Sequence, residues 1–119
     1  MARDMAAIVV ALAVVISAWA QQPAAAEDGN VDLLLVLAAD ISRSVDDKKF
    51  RLQRDGYAAA IVDPRVMRAM QAGAFGRIAI CYMEWASDQD QKVVVDWTRV
   101  GSQGEAKDVA DRIRDAPRS

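Results

Sequence analysis

The chain has 119 residues, 53% of them hydrophobic and 27% charged, which suits one small globular domain and excludes the disordered and fibrous classes. Its 15 basic and 17 acidic residues are spread along the chain for a net charge of -2, so no basic face exists to neutralise a phosphate backbone, and nucleic acid is excluded as a partner. Histidine is absent and Cys81 is the single cysteine, which removes imidazole zinc sites, Ser-His-Asp triads, Cys-His dyads and any internal disulfide.

At the N-terminus, Arg3 precedes the uninterrupted apolar stretch Ala6 to Ile16, and small residues follow at Ala18, Ala20 and Ala24 to Ala26. This is the layout of a secretory signal peptide over residues 1–26, cleaved near Gln21 or Glu27. The apolar run is about 15 residues, short of the roughly 20 that span a bilayer. Membrane contact is therefore expected only before cleavage, and the mature protein is expected in the periplasm or outside the cell. Residues 27–30, with the Gly29-Asn30 break, read as a linker to a domain over 31–119.

The first element is predicted as a strand over Val31 to Ala39, nearly all apolar and bounded by Asn30 and Asp40. Such a run suits a central parallel strand buried on both faces. Ser44-Val45-Asp46-Asp47 resembles a capping box that opens a helix. Phe50, Tyr57 and Ile61 recur at helical spacing on its inner side, with charged residues elsewhere. Arg51 and Arg54, like Arg65 and Arg68 further on, are assigned to solvated faces. Asp63-Pro64 ends this helix and starts a short one, Pro64 to Gln71, and Gly73 and Gly76 turn the chain. Ile78 to Ala86 and Lys92 to Val100 read as strands. The short polar link Ser87 to Gln91 forces them into an antiparallel hairpin, with Asp88 and Asp90 assigned to solvent and Trp85 and Trp97 to packing. Ser102-Gln103-Gly104-Glu105 opens a last helix, Gln103 to Ala116, with Val109 and Ile113 inward. The order strand, helix, strand, strand, helix, with the short Pro64 to Gln71 helix after the first helix, describes an α/β layered sheet with an antiparallel edge strand.

Asp40, Ser42 and Ser44 stand where the first strand meets its helix, and in open α/β sheets ligands bind beyond the carboxyl ends of the strands. A carboxylate and two hydroxyls at alternate positions of a tight loop can face one centre. Such hard oxygen ligands suit Mg²⁺ or Mn²⁺. The competing assignment makes Ser42 a turn residue and Ser44 a helix cap. Asp40 demands more, because a carboxylate ending an apolar strand must be paired, hydrogen-bonded or metal-bound if buried.

With this D-x-S-x-S loop after a buried strand, the sequence resembles the von Willebrand factor type A (vWA) family, whose metal-ion-dependent adhesion site begins so. It is similar in particular to secreted bacterial members without assigned function, through Val36-Leu37-Ala38-Ala39-Asp40, Gly76-Arg77-Ile78-Ala79 and Asp96-Trp97-Thr98-Arg99. The resemblance implies a Rossmann-like six-stranded sheet with helices on both faces. It implies a cation held by Asp40, Ser42 and Ser44 and completed by a Thr from a later loop and an Asp from a later strand. The single Thr is Thr98, on a strand running away from Asp40, and the chain ends at Ser119 about where the Thr loop should begin. The sequence therefore reads as the N-terminal part of such a domain, truncated after the second main helix. Arg43 stands where the family commonly has Gly, and a guanidinium beside a divalent cation repels it.

The function implied is a non-catalytic, exported protein-binding module in which a partner's acidic side chain fills the open metal position. Metal binding is expected to be weak in this chain. The enzymatic alternative uses Asp40 as the nucleophile of a phosphatase-like hydrolase. That motif needs a second Asp two residues on, where this chain has Ser42, which cannot serve as acid or base. With one side of the first strand unoccupied, self-association through an open sheet edge is also expected.

Overall fold

A computed structural model describes residues 29–42 and 45–118; the signal-peptide assignment, Arg43 and Ser44 lie outside the described residues. Six elements follow in order: β1 (Leu34–Asp40), α1 (Asp47–Val62), α2 (Pro64–Met70), β2 (Ile78–Ser87), β3 (Asp90–Val100) and α3 (Gln103–Asp115). The chain is α/β, with one three-stranded mixed sheet in the order β1-β2-β3. β1 and β2 are parallel, from Leu34 opposite Ala79 to Asp40 opposite Trp85. β2 and β3 are the predicted antiparallel hairpin, closed where Ser87 faces Asp90. Ile80 faces Thr98 and Tyr82 faces Val95, so Asp96 and Trp97 together oppose Cys81 in a bulge.

Local chemistry explains where the helices stop and start. The predicted Ser44 cap is replaced by Asp46, whose carboxylate accepts from the Lys49 N–H at 2.8 Å. The helix starts later than expected, after a turn in which the Val45 N–H donates to the Ser42 carbonyl at 2.8 Å. At the other end Pro64 forces Asp63 out of the helical region, to φ -62° and ψ 130°. The same Asp63 then caps α2 by accepting from the Arg65 N–H at 2.8 Å. Ser102 caps α3, its hydroxyl accepting from the Glu105 N–H at 3.2 Å. The Glu105 carboxylate accepts in return from the Ser102 hydroxyl at 3.1 Å and the Gly101 N–H at 3.3 Å. This is a variant of the predicted capping box, whose usual return bond comes from the N-cap N–H.

The core lies on one face of the sheet. Ala39, Ile80, Tyr82, Val95 and Val100 pack there against Ile61 of α1, Met67 and Met70 of α2, and Ala106, Val109 and Ile113 of α3. The first strand is not buried on both faces. Leu35, Leu37 and Ala39 turn toward the helices, whereas Leu34 and Val36 remain 65% and 48% exposed. The sequence run is apolar throughout, but a strand is buried on both sides only where both faces are covered, and the described helices share one face. Among the described residues one side of β1 is unoccupied, as the truncated sheet leads one to expect, and three strands with one helical layer stand where the resemblance implies six strands with helices on both faces. Trp85 and Trp97, assigned to packing, are partly exposed. No helix among the described residues is long and apolar enough to cross a membrane.

Candidate metal centre at the end of the first strand

Asp40 is the last residue of β1, exposed, at the carboxyl end of the parallel pair. The Ile41 N–H donates to the Trp85 carbonyl at 2.9 Å, so the loop leaves the sheet in fixed register. One carboxylate oxygen of Asp40, Oδ1, accepts from the Ser42 N–H at 2.7 Å, an Asx turn that folds the loop back over the strand end. Asp40 takes part in no ion pair among the described residues, and its Oδ2 keeps its acceptor capacity. Ser42 is half-buried beside it. The loop then enters α1, whose N-terminus carries Asp46 and Asp47.

Asp40 and Ser42 are thus brought to one place, and Ser44 lies outside the described residues. The oxygen-only donor set fits a hard cation, because the Asx turn occupies only one oxygen of the carboxylate. No three His, Cys, Asp or Glu side chains converge among the described residues, so the centre rests on one carboxylate plus hydroxyls. Asp88 and Asp90 lie at the same end of the sheet, beyond Trp85, and are exposed. Thr98 is far from the loop: it pairs with Ile80, level with Leu35, about five residues or roughly 16 Å down the strand from Asp40. Its hydroxyl donates to the Asp96 carbonyl and accepts from Arg112.

Two features escaped the sequence reading. The first is Gln53, on the second turn of α1, whose amide nitrogen donates to the Asp40 carbonyl at 3.2 Å. Its amide oxygen is buried with no hydrogen-bond partner among the described residues. The second is Arg54, assigned to a solvated face but fully buried, as is Glu84. Arg54 Nε and Nη2 grip the Glu84 carboxylate at 3.0 and 2.8 Å. Nη1 donates to the carbonyls of Ile113, at 3.0 Å, and Ala116, and Nη2 also to that of Pro117, at 3.1 Å. All five guanidinium donors find acceptors, and Phe50 stacks 4.5 Å from the guanidinium carbon. Tyr82 donates to Glu84 at 3.1 Å. Burial above all, and then the Glu84 carboxylate, push its phenol well above the usual range.

This cluster ties the end of α3 to α1. Arg118 continues the tie, donating to Asp47 and to the Val45 carbonyl, both at 2.7 Å. The chain leaving α3 is therefore held against the residues that follow the Asp40 loop. A family model described as "Protein of unknown function (DUF1194)" matches residues 30–119. No curated protein and no solved structure matches the chain.

Proposed function

We propose, for a chain that belongs to this DUF1194 family, an exported vWA-like protein-binding module that holds Mg²⁺ or Mn²⁺ on the Asp40 loop and is not an enzyme. The observation that carries the proposal is Asp40 itself: a carboxylate at the carboxyl end of a parallel strand, exposed, unpaired by any cation among the described residues, and preset by the Ser42 N–H. Asp40 Oδ2 and the hydroxyls of Ser42 and Ser44 would hold the ion. When bound, the ion supplies a Lewis-acidic position that an acidic side chain of a partner protein occupies. The residues of this chain orient that position: Gln53 holds the Asp40 carbonyl, and Asp47 offsets the Arg118 guanidinium charge.

The end of α3 beside the loop supports the same reading, since the vWA resemblance expects a further ligand to follow the second main helix. The signal-like N-terminus supports export to the periplasm or beyond, with residues 1–26 removed and 27–30 as linker.

Titration calorimetry with MgCl₂ and MnCl₂ tests the site. Weak binding is expected, about millimolar, as for all-oxygen sites with few protein ligands, and Asp40→Ala should abolish it. Micromolar affinity untouched by Asp40→Ala would place the site elsewhere. Turnover of a generic phosphate ester with Mg²⁺, lost in Asp40→Asn, would replace the binding module with the nucleophilic hydrolase.

A further inference from the structure

The loop after Asp40 is set by two turns that share one residue. Ser42 gives its N–H to the Asp40 carboxylate at 2.7 Å, and its carbonyl accepts from the Val45 N–H at 2.8 Å. The peptide groups around Val45 therefore decide how both turns sit. The Val45 carbonyl has no place in the helix that follows, because the helical ladder opens with the Phe50 N–H on the Asp46 carbonyl. Its donor comes from 73 residues further along the chain: Arg118 Nη2, at 2.7 Å. Arg118 Nη1 meets the Asp47 carboxylate, also at 2.7 Å. One guanidinium thus pins the residues on either side of the N-cap Asp46.

The buried ion pair brings Arg118 to this position. Pro117 holds Ala116 extended, at φ -64° and ψ 136°, so α3 stops and the chain turns toward α1. Arg54 collects the carbonyls of Ile113, Ala116 and Pro117, and Glu84 neutralises it from β2. The Phe50 ring lies against both guanidiniums, with the Arg54 carbon 4.5 Å and the Arg118 carbon 4.7 Å from its centre. Each cation has its own carboxylate, Glu84 for Arg54 and Asp47 for Arg118, which offsets their mutual repulsion. The Asp47 side chain is 97% exposed, so that ion pair by itself holds little. The Val45 carbonyl and the Phe50 ring carry the tie.

We propose that Arg118 is a positioning residue for the Asp40 loop: it sets the turns through which Asp40 and Ser42 present their oxygens, and so tunes cation binding there. The second half of this proposal rests on the reading of the loop as a Mg²⁺ or Mn²⁺ site. Arg118 acts through the Val45 carbonyl and not as a ligand, since a guanidinium carries no acceptor. Releasing residues 116–118 lets the loop relax. By linkage, an ion on the loop holds that segment more tightly. The stretch that leaves α3 is thereby a control point for the site.

Amide exchange followed by nuclear magnetic resonance on the metal-free protein, together with Mn²⁺ titration, tests this in the wild type, Arg118→Ala, Arg118→Lys and Asp47→Asn. Arg118→Ala should speed exchange of the Ser42 and Val45 amides by about fivefold, the net worth of one hydrogen bond, and leave those of Ile80 and Tyr82 unchanged. Mn²⁺ affinity should fall by a similar factor. Lysine reaches one of the two acceptors and should recover part of both losses. Asp47→Asn should cost less than Arg118→Ala, because its carboxylate is the solvated partner. Loop exchange unchanged in Arg118→Ala overturns the proposal. So does acceleration spread equally over the sheet, which would make Arg118 a brace of the whole fold. Faster loop exchange with an unchanged Mn²⁺ affinity overturns the tuning of the site. A wild type that binds no Mn²⁺, with loop exchange still faster in Arg118→Ala, refutes the metal reading and supports Arg118 as the residue that sets the loop.

Discussion

Arg54 and Glu84 show how much one residue pair can settle. A buried ion pair is costly to desolvate and strongly destabilising to break from one side. Here the guanidinium also carries the carbonyls of Ile113, Ala116 and Pro117. Replacing Arg54 by Met should therefore destabilise the fold by about 3–5 kcal/mol, since Glu84 is left in an apolar layer with no cation and only the Tyr82 hydroxyl as a side-chain partner. Adding Glu84→Leu to that variant should recover part of the loss, as replacing both partners removes the uncompensated charge. Urea unfolding of the two singles and the double checks this; additive losses would show that the pair is not the source of the coupling. Traces of the pair were in the sequence. Ile80, Tyr82 and Glu84 alternate on one side of an apolar strand, and a carboxylate buried there needs a cation or hydrogen-bond donors. Phe50, Arg54, Ala58 and Ile61 form the buried side of α1, so the helical spacing already pointed Arg54 inward. Reading arginine as solvated by its type alone missed it.

At the scale of elements, the helix boundaries follow from caps, and Asp63 is the one that serves two helices. It ends α1 and starts α2. The Arg65 side-chain hydrogen bonds first, and then the Arg65 backbone N–H, lower its carboxyl from 3.8 to about 2. A carboxylate with a depressed folded-state value adds stability that is present above its unfolded value and is lost as pH falls through the folded one. The loss attributable to Asp63 should thus occur between about pH 4 and pH 2 and be absent at pH 5. Thermal melts across that range should show a shallower acid decline in Asp63→Asn than in the wild type. An identical decline in both would mean that the cap contributes nothing to folding. The Asp63-Pro64 break was legible because proline acts on its own neighbour. The move of the first cap from Ser44 to Asp46 was not, because it depends on how the Asx turn at Asp40 leaves the sheet.

For the whole molecule, the fold is a single helical layer on a three-stranded sheet, with one sheet face and the outer edges of β1 and β3 without a strand partner among the described residues. Leu34, Val36, Val93 and Trp97 are exposed on strands, an apolar surface of the kind that marks interaction sites. The export proposed from the N-terminal charge and apolar pattern predicts a mature chain beginning near Gln21 or Glu27. Mass spectrometry of the exported fraction checks it; an intact N-terminus retained in membranes would refute cleavage.

The sequence by itself determined the α/β class, the element order, the antiparallel hairpin and the placing of Asp40 and Ser42 at the carboxyl end of a parallel strand. Those rest on local signals: period, caps, turn length and proline. Only the tertiary structure decided which face of β1 is covered, that Arg54 meets Glu84 across 30 residues, and that the end of α3 returns to the Asp40 loop. Each depends on what packs against what, and an apolar run or an arginine in a sequence does not state its partner.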